Sequence, residues 1–397
     1  MRPLDPLVRV RVLFCLVGVA ESAIVPFLPL LLRDRGLSPQ AIGAVLALLA
    51  GVAFASGPLW GYLADRALGY ERTLILAMLG TAGGAVALSF AHTVAAIAVA
   101  GSVTWALRSP NLAVADSIAL ARLGPARRGS YGSVRLWMSL GFAAGALAWG
   151  GLVSAVGIDL VAPLYAGLTA LNALGLVIVF RKRSLWRRTA FVRKPRAALR
   201  IPVAAVPALA LFLMALFLTN AAYYATYNFA AVQIAALGGG AVFVGLAAGF
   251  QAGAEAPSMA WTRRLGRRLR PGTVFAAGAA IFVAVDAVWA LAASPETLAL
   301  LRLVSGVGFG LTYVGTVLVA DELVPHEFRA TGQAAMKAVG FGIAPVAGSL
   351  GGGLVYGYFG STPFFVTAAG VTTAAALLAR WSDSPAHVRR RPGLQGA

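Results

Sequence analysis

The chain has 397 residues, of which 59% are hydrophobic and only 12% are charged. This composition leaves too little polar surface for a water-soluble protein, even one of two domains, so the chain must be solvated by lipid. The formal net charge of +19 would indicate a nucleic-acid partner in a soluble protein, but the positions of the charges along this chain exclude that partner.

Apolar stretches recur along nearly the whole sequence, each close to the length of about 20 residues that spans a bilayer as a helix. The first is interpreted as a retained helix, because the run from Val12 to Leu32 is long and lacks a small-x-small cleavage site. About twelve spans fit the chain. They are predicted at residues 8–32, 39–63, 73–91, 94–120, 132–154, 160–180, 202–236, 241–261, 272–293, 297–320, 330–355 and 362–380.

Basic residues alternate with these spans. The densest run, Arg181–Arg200, carries nine basic residues and no acidic one, and it separates two apolar halves. Every even-numbered connection is basic, whereas the odd-numbered connections hold only Arg33 and Arg35 as basic residues. The positive-inside rule therefore predicts that both termini are cytoplasmic. The predicted domains are an N-terminal six-helix bundle (1–180), a basic linker (181–201), a C-terminal six-helix bundle (202–380) and a cytoplasmic tail (381–397).

Landmark residues recur in the two halves at an offset of about 200 residues, which indicates an internal duplication. Parallel repeats of six spans are one of the known architectures of secondary transporters. The matched landmarks are Pro58 with Pro257, Pro125 with Pro325, and Gly132 with Gly332.

The connection between the second and third spans carries a recognisable motif. It reads Gly61-Tyr62-Leu63-Ala64-Asp65-Arg66-Ala67-Leu68-Gly69-Tyr70-Glu71-Arg72. This string resembles the Gly-x-Leu-Ala-Asp-Arg-x-Gly-Arg-Arg signature of the major facilitator superfamily, with one residue inserted before Gly69. Other strings are similar to the branch that contains phenylpropionate permeases and, more distantly, lactose permease. They are Pro26-Phe27-Leu28-Pro29-Leu30, Arg33-Asp34-Arg35-Gly36-Leu37-Ser38, Arg135-Leu136-Trp137-Met138-Ser139-Leu140-Gly141-Phe142 and Ala222-Tyr223-Tyr224.

The resemblance implies an all-α integral membrane protein with the major facilitator fold, in which helices one, four, seven and ten line a central cavity between two six-helix bundles. It implies a secondary active transporter that imports a small organic solute, an aromatic acid or a sugar, with protons. Proton-coupled efflux of a drug, sugar or metabolite is the alternative, and sodium coupling also stays open. Against efflux, helix five has Gly145-Ala146 where efflux antiporters of the superfamily often have Gly-Pro.

Eight charged side chains remain inside predicted spans when Arg9, Arg11 and Arg380 are counted with the termini, and four acids against four bases favour ion pairing. Each is a candidate functional residue, because an unpaired charge near mid-bilayer costs several kcal/mol. Glu21 and Arg108 lie at similar depths, and the resemblance implies that both face the substrate path. Glu21 is a candidate acceptor of the coupling proton. Arg108 could instead bind an anionic substrate, and the simplest alternative is a static pair that locks two helices together.

Further charged residues are candidates for gating or charge pairs. The superfamily packs helix five against eight and helix two against eleven, which would bring Arg135 to Glu255 and Lys337 toward Asp65. Pairing within each half, Asp116 with Arg135 and Glu255 with Lys337, is an equal alternative. Asp286 and Arg302, toward the outer side of helices nine and ten, are predicted to form a structural pair. The gating candidates are Asp65, Arg66, Asp116, Arg135, Glu255 and Lys337.

Polar residues form a stripe on the seventh predicted helix, with the i, i+3, i+4, i+7, i+8 spacing of one helix face. Two asparagines on this face favour a wet cavity lining over an interfacial tyrosine belt, and the rings and amides suit a flat or ring-shaped organic solute. Trp105 and Asn111, on either side of a Pro110 kink, are predicted to line the same chamber. The members of the stripe are Asn220, Tyr223, Tyr224, Tyr227 and Asn228.

Other classes of protein lack their characteristic residues in this chain. There is no Gly-x-x-x-x-Gly-Lys-Ser/Thr phosphate loop for a primary pump and no histidine arrangement typical of a metal site or an activated nucleophile. Cys15 is the only cysteine, so an intrachain disulfide is impossible. The prediction is a monomeric, multi-pass carrier of the cell membrane, not an enzyme and without cofactor or metal. Its predicted partners are a small-molecule substrate, protons and membrane lipid, with no nucleic acid.

Overall fold

The computed structural model of the chain describes residues 6–123, 131–180, 207–265, 269–324 and 329–382. Every regular element in these ranges is a helix. The predicted basic linker, 181–201, and all but the first two residues of the predicted tail, 381–397, lie outside the described residues.

Eight α-helices form the first six spans. They are α1 (Pro6–Ile24), α2 (Leu28–Asp34), α3 (Pro39–Leu63), α4 (Tyr70–Ser89), α5 (Val94–Arg108), α6 (Pro110–Leu123), α7 (Tyr131–Val156) and α8 (Val161–Phe180). The first span is interrupted between α1 and α2 around Pro26, and the fourth is interrupted between α5 and α6 at Ser109. A proline lies in or just after each break, where its missing N–H removes a helical hydrogen bond.

Seven further α-helices form the last six spans. They are α9 (Pro207–Ala236), α10 (Ala241–Leu265), α11 (Pro271–Ala290), α12 (Pro295–Leu323), α13 (Arg329–Ala338), α14 (Ala344–Phe359) and α15 (Ser361–Ser382). A π-helical turn, Val339–Ile343, joins α13 and α14 into one span. The described residues thus contain the twelve spans that the sequence predicts.

Ten of these spans are long and apolar enough to cross a membrane by length and composition alone. The remaining two are the interrupted fourth span and α10, which carries Gln251 and Glu255 in its sequence. A break or a polar side chain weakens the apolar signal of a span. Both exceptions contain residues of the candidate site described below.

Helix starts and stops follow the local sequence. Ser38, Thr93 and Ser294 cap α3, α5 and α12, each accepting a hydrogen bond from the backbone N–H three residues on, at 3.2 to 3.3 Å. Gly69 and Gly360 have φ values of 79° and 81°, which glycine adopts without strain, and each lets the chain turn directly into the next helix.

Successive spans alternate in direction, so the molecule has two ends. We call the end that carries Arg66, Arg122 and Arg270 the basic end, and the end that carries Gly157 and Gly360 the opposite end. The described basic connections therefore share one end, as the sequence predicts.

The two halves repeat the same close helix crossing. A Cβ added at Gly141 of α7 would lie 2.2 Å from the Cys15 carbonyl oxygen of α1. A Cβ added at Gly348 of α14 would lie 2.1 Å from the Ala221 carbonyl oxygen of α9. Both crossings therefore require glycine. Corresponding residues are about 200 positions apart, in agreement with the internal duplication.

Glycines also join the two halves to each other at the opposite end. A Cβ added at Gly43 of α3 would lie 2.7 Å from the Gly353 Cα of α14, and one added at Gly245 of α10 would lie 2.8 Å from the Gly150 Cα of α7. The expected packing of span two on span eleven and of span five on span eight is therefore confirmed.

The hydrophobic core is continuous at the opposite end and divided at the basic end. One cluster at the opposite end contains Phe27 from the first half and both Phe229 and Phe365 from the second. Toward the basic end, the cluster around Phe14 holds only first-half residues and the cluster around Phe212 only second-half residues, among those described. The halves are closed on each other at the opposite end and have separate cores toward the basic end, and we call the space between those two cores the cavity.

Gly43→Ala is expected to open the opposite end. The added Cβ would lie 2.5 Å from the Ser349 carbonyl oxygen and 2.7 Å from the Gly353 Cα, and overpacking of this kind costs about 1–3 kcal/mol. A cost of that size changes a two-state population ratio by about fivefold or more.

The measurement is double electron–electron resonance in a Cys15→Ser background, with spin labels at His92 and Leu291, which are exposed at the opposite end. The distance between the labels should lengthen in Gly43→Ala. Gly51→Ala on the same helix is the control, because its Cβ meets only Val346 Cγ2, at 3.8 Å. A shift of equal size in the control would contradict the assignment of the closing contact.

Candidate functional site

An ion pair between the buried Glu21 and the half-buried Arg108 joins α1 to α5. Arg108 Nε donates to Glu21 Oε2 at 2.7 Å, and Arg108 Nη2 contacts the same oxygen. Tyr165 of α8 donates its hydroxyl to Glu21 Oε1 at 3.3 Å. The guanidinium also lies 5.3 Å from the centre of the Trp105 ring. The two residues that the sequence places at similar depths in the membrane are thus in contact. The charge of the buried carboxylate is balanced by the adjacent guanidinium.

The break in span four fixes the backbone beside Arg108. Pro110 has no N–H, so the Ala106 carbonyl loses the donor that a helix normally supplies four residues on. Trp60 Nε1 of α3 donates to this carbonyl at 2.8 Å, and Ser109 Oγ donates to it at 3.0 Å. The segment that carries Arg108 is therefore held by α3 as well as by its own helix.

Two tyrosines of α9 face this pair from the second half. Tyr224 and Tyr227 lie close enough to Arg108 to interact with it electrostatically. Both side chains are half-buried, and neither hydroxyl has a hydrogen-bond partner among the described residues. Both hydroxyls are therefore available to a solute that lies between the halves.

The other members of the α9 stripe use their polar groups within the protein. Asn220 donates to a backbone carbonyl of its own helix at 3.0 Å, and Asn228 donates to Ser349 Oγ of α14 at 3.0 Å. Tyr223 is buried, and its hydroxyl accepts a hydrogen bond from Gln251. The stripe is thus divided between two residues that face Arg108 and three that fix α9 against itself and its neighbours.

Span four contributes two further buried residues. Trp105 packs into the core shared by both halves at the opposite end. Asn111 is 4% exposed, and its Oδ1 has no hydrogen-bond partner among the described residues. Because a buried acceptor without a partner is unfavourable, Asn111 is suited to bind a solute hydroxyl or a water molecule.

A polar network in the second half was not predicted from the sequence. Arg302 of α12 is buried and donates from Nη1 to Gln251 Oε1 at 2.9 Å. Its Nη2 donates to the backbone carbonyls of Thr226 and Tyr227 in α9, at 3.1 and 3.0 Å. Gln251 Nε2 also donates to Glu255 Oε1 at 3.2 Å. A neutral amide thus connects Glu255 to Arg302, and Arg302 connects α12 to α9.

The expected ion pair between Asp286 and Arg302 is not formed among the described residues. The guanidinium packs instead between the rings of Tyr227 and Trp289, 4.9 Å from each ring centre. Sorting charged residues by depth overlooked the neutral Gln251, which takes the place of the expected acid. The available signal was a glutamine one helical turn before Glu255 in an apolar helix.

None of the expected gate pairs is formed in this conformation. For the two pairs between the halves, the physical reason is the division of the core at the basic end, which leaves each charge beyond ion-pair distance of its partner. Within the second half, Glu255 accepts a hydrogen bond from Gln251 and not from Lys337. Within the first half, Asp116 instead accepts a hydrogen bond from the Tyr131 hydroxyl at 2.5 Å. The pairs absent from the described residues are Arg135 with Glu255, Lys337 with Asp65, Asp116 with Arg135, and Glu255 with Lys337.

The two signature residues make local contacts. Asp65 and Arg66 lie in a π-helical turn, Ala64–Leu68, at the end of α3. Asp65 accepts a hydrogen bond from the Tyr70 hydroxyl at 3.0 Å, and the Arg66 guanidinium lies 5.5 Å from the centre of the Tyr62 ring. Both interactions brace the connection between α3 and α4.

The chain matches the model of the MFS_1 like family over residues 8–367. It is also similar to the maltose permease of Geobacillus stearothermophilus, with 30% identity over 344 residues that cover 86% of this chain and 85% of the permease.

Solved structures of transporters share the fold. A structure of the nucleoside transporter NupG superposes with a TM-score of 0.78 at 16% identity, over 96% of this chain and 99% of that chain. A structure of a mutant of the peptide transporter POT superposes with a TM-score of 0.75 at 17% identity, over 94% of this chain and 93% of that chain. At these identities the likeness shows the fold alone.

Gln251→Leu is expected to destabilise the second half. The substitution leaves Arg302 and Glu255 each short of a hydrogen-bond partner, and an unsatisfied buried group costs about 1–3 kcal/mol. The apparent melting temperature of the detergent-solubilised protein should fall. Gln333→Leu is the control, because that amide makes only a long contact of 3.4 Å to the Val317 carbonyl. Equal melting temperatures for the two variants would contradict a stabilising role for the network.

Proposed function

The chain belongs to the MFS_1 like family and is a secondary transporter of the membrane, not an enzyme, and we propose that it imports a small, neutral, hydroxylated solute such as a sugar together with a proton. The observation that carries the proposal is the Glu21–Arg108 ion pair, which joins α1 to α5 and lies within electrostatic reach of Tyr224 and Tyr227 of the second half.

The fixed charges of the cavity favour a neutral solute. Arg108 is balanced by Glu21, and Arg302 is held by carbonyl and amide oxygens, so both guanidinium groups already have partners. The tyrosine rings offer flat apolar surfaces beside hydrogen-bonding groups, a combination that suits a sugar ring. The similarity to a maltose permease supports the same class. An aromatic acid, the other solute class considered from the sequence, would find an unoccupied cation only after protonation of Glu21.

Glu21 is the proposed site of the coupling proton. Its carboxylate is bound by Arg108 and by Tyr165, so protonation would cancel the charge that holds the guanidinium. Arg108 would then be free to donate to solute oxygens. Proton and solute would favour the same arrangement of the site, which is the thermodynamic requirement for coupled movement in one direction.

The positive-inside rule assigns the basic end to the cytoplasm of a cell membrane, so the described conformation faces inward. We propose that two bundles, 1–180 and 202–380, rock about the central site as a monomer, with the linker 181–201 and the tail 381–397 in the cytoplasm. Opening outward would separate Gly43 from Gly353 and close the basic end. The residues proposed to pair or gate in that closure are Asp65, Arg66, Asp116, Arg135, Glu255 and Lys337.

Glu21→Gln is expected to abolish proton-driven uptake while exchange of solute continues, because a neutral amide has the shape of the acid but cannot carry the proton. The measurement uses proteoliposomes with an internal pH dye and a panel of sugars, nucleosides, aromatic acids and cationic drugs. In the parent protein, protons should move inward only with the sugars. Labelled solute should still exchange across Glu21→Gln membranes in the absence of a gradient.

Glu296→Gln is the matched control, since Glu296 is exposed in the first turn of α12 at the opposite end. It should transport like the parent. Equal proton movement in the parent and in Glu21→Gln would remove Glu21 as the proton site. Solute that leaves as protons enter would establish efflux, and uptake that follows a sodium gradient would replace the proton as the coupling ion.

Tyr224→Phe is expected to raise the KM for the transported solute by about 2- to 10-fold, because a neutral hydrogen bond contributes about 0.5–1.5 kcal/mol net. Initial rates of uptake in proteoliposomes give the KM. Tyr358→Phe, at a side chain that is 71% exposed at the opposite end, should leave the KM unchanged. A parental KM in Tyr224→Phe would exclude this hydroxyl from solute binding.

A further inference from the structure

A row of aromatic rings runs along the second half from the cavity centre toward the basic end. It joins Tyr223, Phe309, Tyr313 and Phe341, whose successive ring centres lie 5.3, 6.0 and 6.0 Å apart. Tyr223 is buried, whereas Tyr313 and Phe341 are 38% and 41% exposed. The row therefore ends in two open rings, Tyr313 and Phe341, which we call the aromatic mouth.

The aromatic mouth faces the first half across the open cavity. Tyr313 of α12 lies close enough to Tyr131 of α7 to interact with it electrostatically, although the two belong to different halves. Tyr131 in turn donates to Asp116. The Tyr313 ring also lies 6.0 Å from the Phe341 ring, next to the point where Gly342 meets the Phe54 ring of α3, so the exposed rings lie at the boundary between the halves.

The backbone at Phe341 is unusual and fixed on both sides. Phe341 lies in the π-helical turn Val339–Ile343, a rare geometry that is concentrated at functional sites. A Cβ added at Gly340 would lie 3.4 Å from Asn220 Nδ2 of α9, and one added at Gly342 would lie 2.4 Å from the Phe54 ring of α3. The turn packs against both halves while the Phe341 ring between those contacts stays open.

Charged side chains near the aromatic mouth are not joined to one another in ion pairs. Asp116 interacts electrostatically with Arg135 and with Lys337, yet no ion pair joins any two of them among the described residues. The Tyr313 and Phe341 rings can stack against a solute ring, and hydrogen-bonding side chains lie near them. This combination suits a solute ring that carries hydroxyl groups.

We propose that the aromatic mouth is a second binding site for a sugar ring, occupied in transit between the cytoplasm and the central site. The proposal rests on the proposed function, because it takes its solute class from there. The mouth is half-exposed and the centre is enclosed, so the mouth binds more weakly. A solute released from the centre would meet the two open rings, Tyr313 and Phe341, before it reaches the cytoplasm.

The test measures equilibrium binding of radiolabelled maltose to the full chain in lipid nanodiscs, from low concentration to saturation. The parent should bind with two classes of site. The double variant Tyr313→Leu with Phe341→Leu should lose the weaker class and keep the affinity of the stronger one. The matched control is Tyr358→Leu with Phe359→Leu, which makes the same chemical changes at exposed rings of the opposite end and should keep both classes.

A spectroscopic readout locates the weaker class. 4-Fluorophenylalanine installed at Phe341 should show a fluorine chemical shift that changes with maltose over the concentration range of the weaker class. The same label at Phe359 should show no change. A label at Phe341 that does not respond, while both classes of binding are present, would place the weaker site elsewhere and overturn the proposal.

The remaining outcomes are distinct. A single class of site in the parent, retained in the double variant, would overturn the proposal alone and leave the rings as an interfacial belt. Equal loss in the double variant and in its control would show a general effect of removing exposed rings, and would also overturn it. Absence of sugar binding in the parent would overturn the proposed solute class, and the proposal with it.

Discussion

The contact on which the rest of the structure depends is the ion pair between Glu21 and Arg108. Either charge alone in a bilayer-spanning helix would cost several kcal/mol, so each residue needs the other. The pair also needs its support, because Pro110 leaves the Ala106 carbonyl without a helical donor and Trp60 of α3 supplies one. α3 is the helix that crosses to α14 of the second half. The charge site and the interface that must open are therefore mechanically connected through one helix.

The two halves repeat the same helix crossings, but their arginines bind different kinds of group. The close crossings place Cys15 and Ala221 at equivalent points, and by the same offset Tyr227 is the counterpart of Glu21. In the first half, an arginine binds the side-chain carboxylate at that position. In the second half, Arg302 binds the backbone carbonyl of Tyr227. A carboxylate can gain or lose a proton, whereas a backbone carbonyl offers a fixed acceptor. At this pair of equivalent positions, only the first half carries an acid that can change its charge.

Particular residues show how far the sequence could be taken. The spans followed from apolar length, and the contact of Glu21 with Arg108 followed from depth, because two charges in lipid have few alternatives to each other. The partners of Arg302 could not be predicted by matching opposite charges at similar depths. They are a neutral glutamine and two backbone carbonyls, none of which carries a charge. The arrangement of Arg135 and Glu255 could not follow from the sequence either. In the proposed cycle their distance would depend on which end of the molecule is closed, and the same sequence must adopt both conformations.

The two ends of the molecule are closed by different physical means. The opposite end is shut by backbone contacts between glycines such as Gly43 and Gly353, which carry no charge and gain from close van der Waals approach. In the proposed closure of the basic end, Asp116, Arg135 and Lys337 would come together, and water would have to leave these charges. Closure of the opposite end is therefore insensitive to protonation, whereas closure of the basic end depends on how completely its charges are paired. In the proposed transport cycle, this asymmetry would let a proton and a solute at the central site act on the closure of the basic end, while the opposite end would close by steric contact alone.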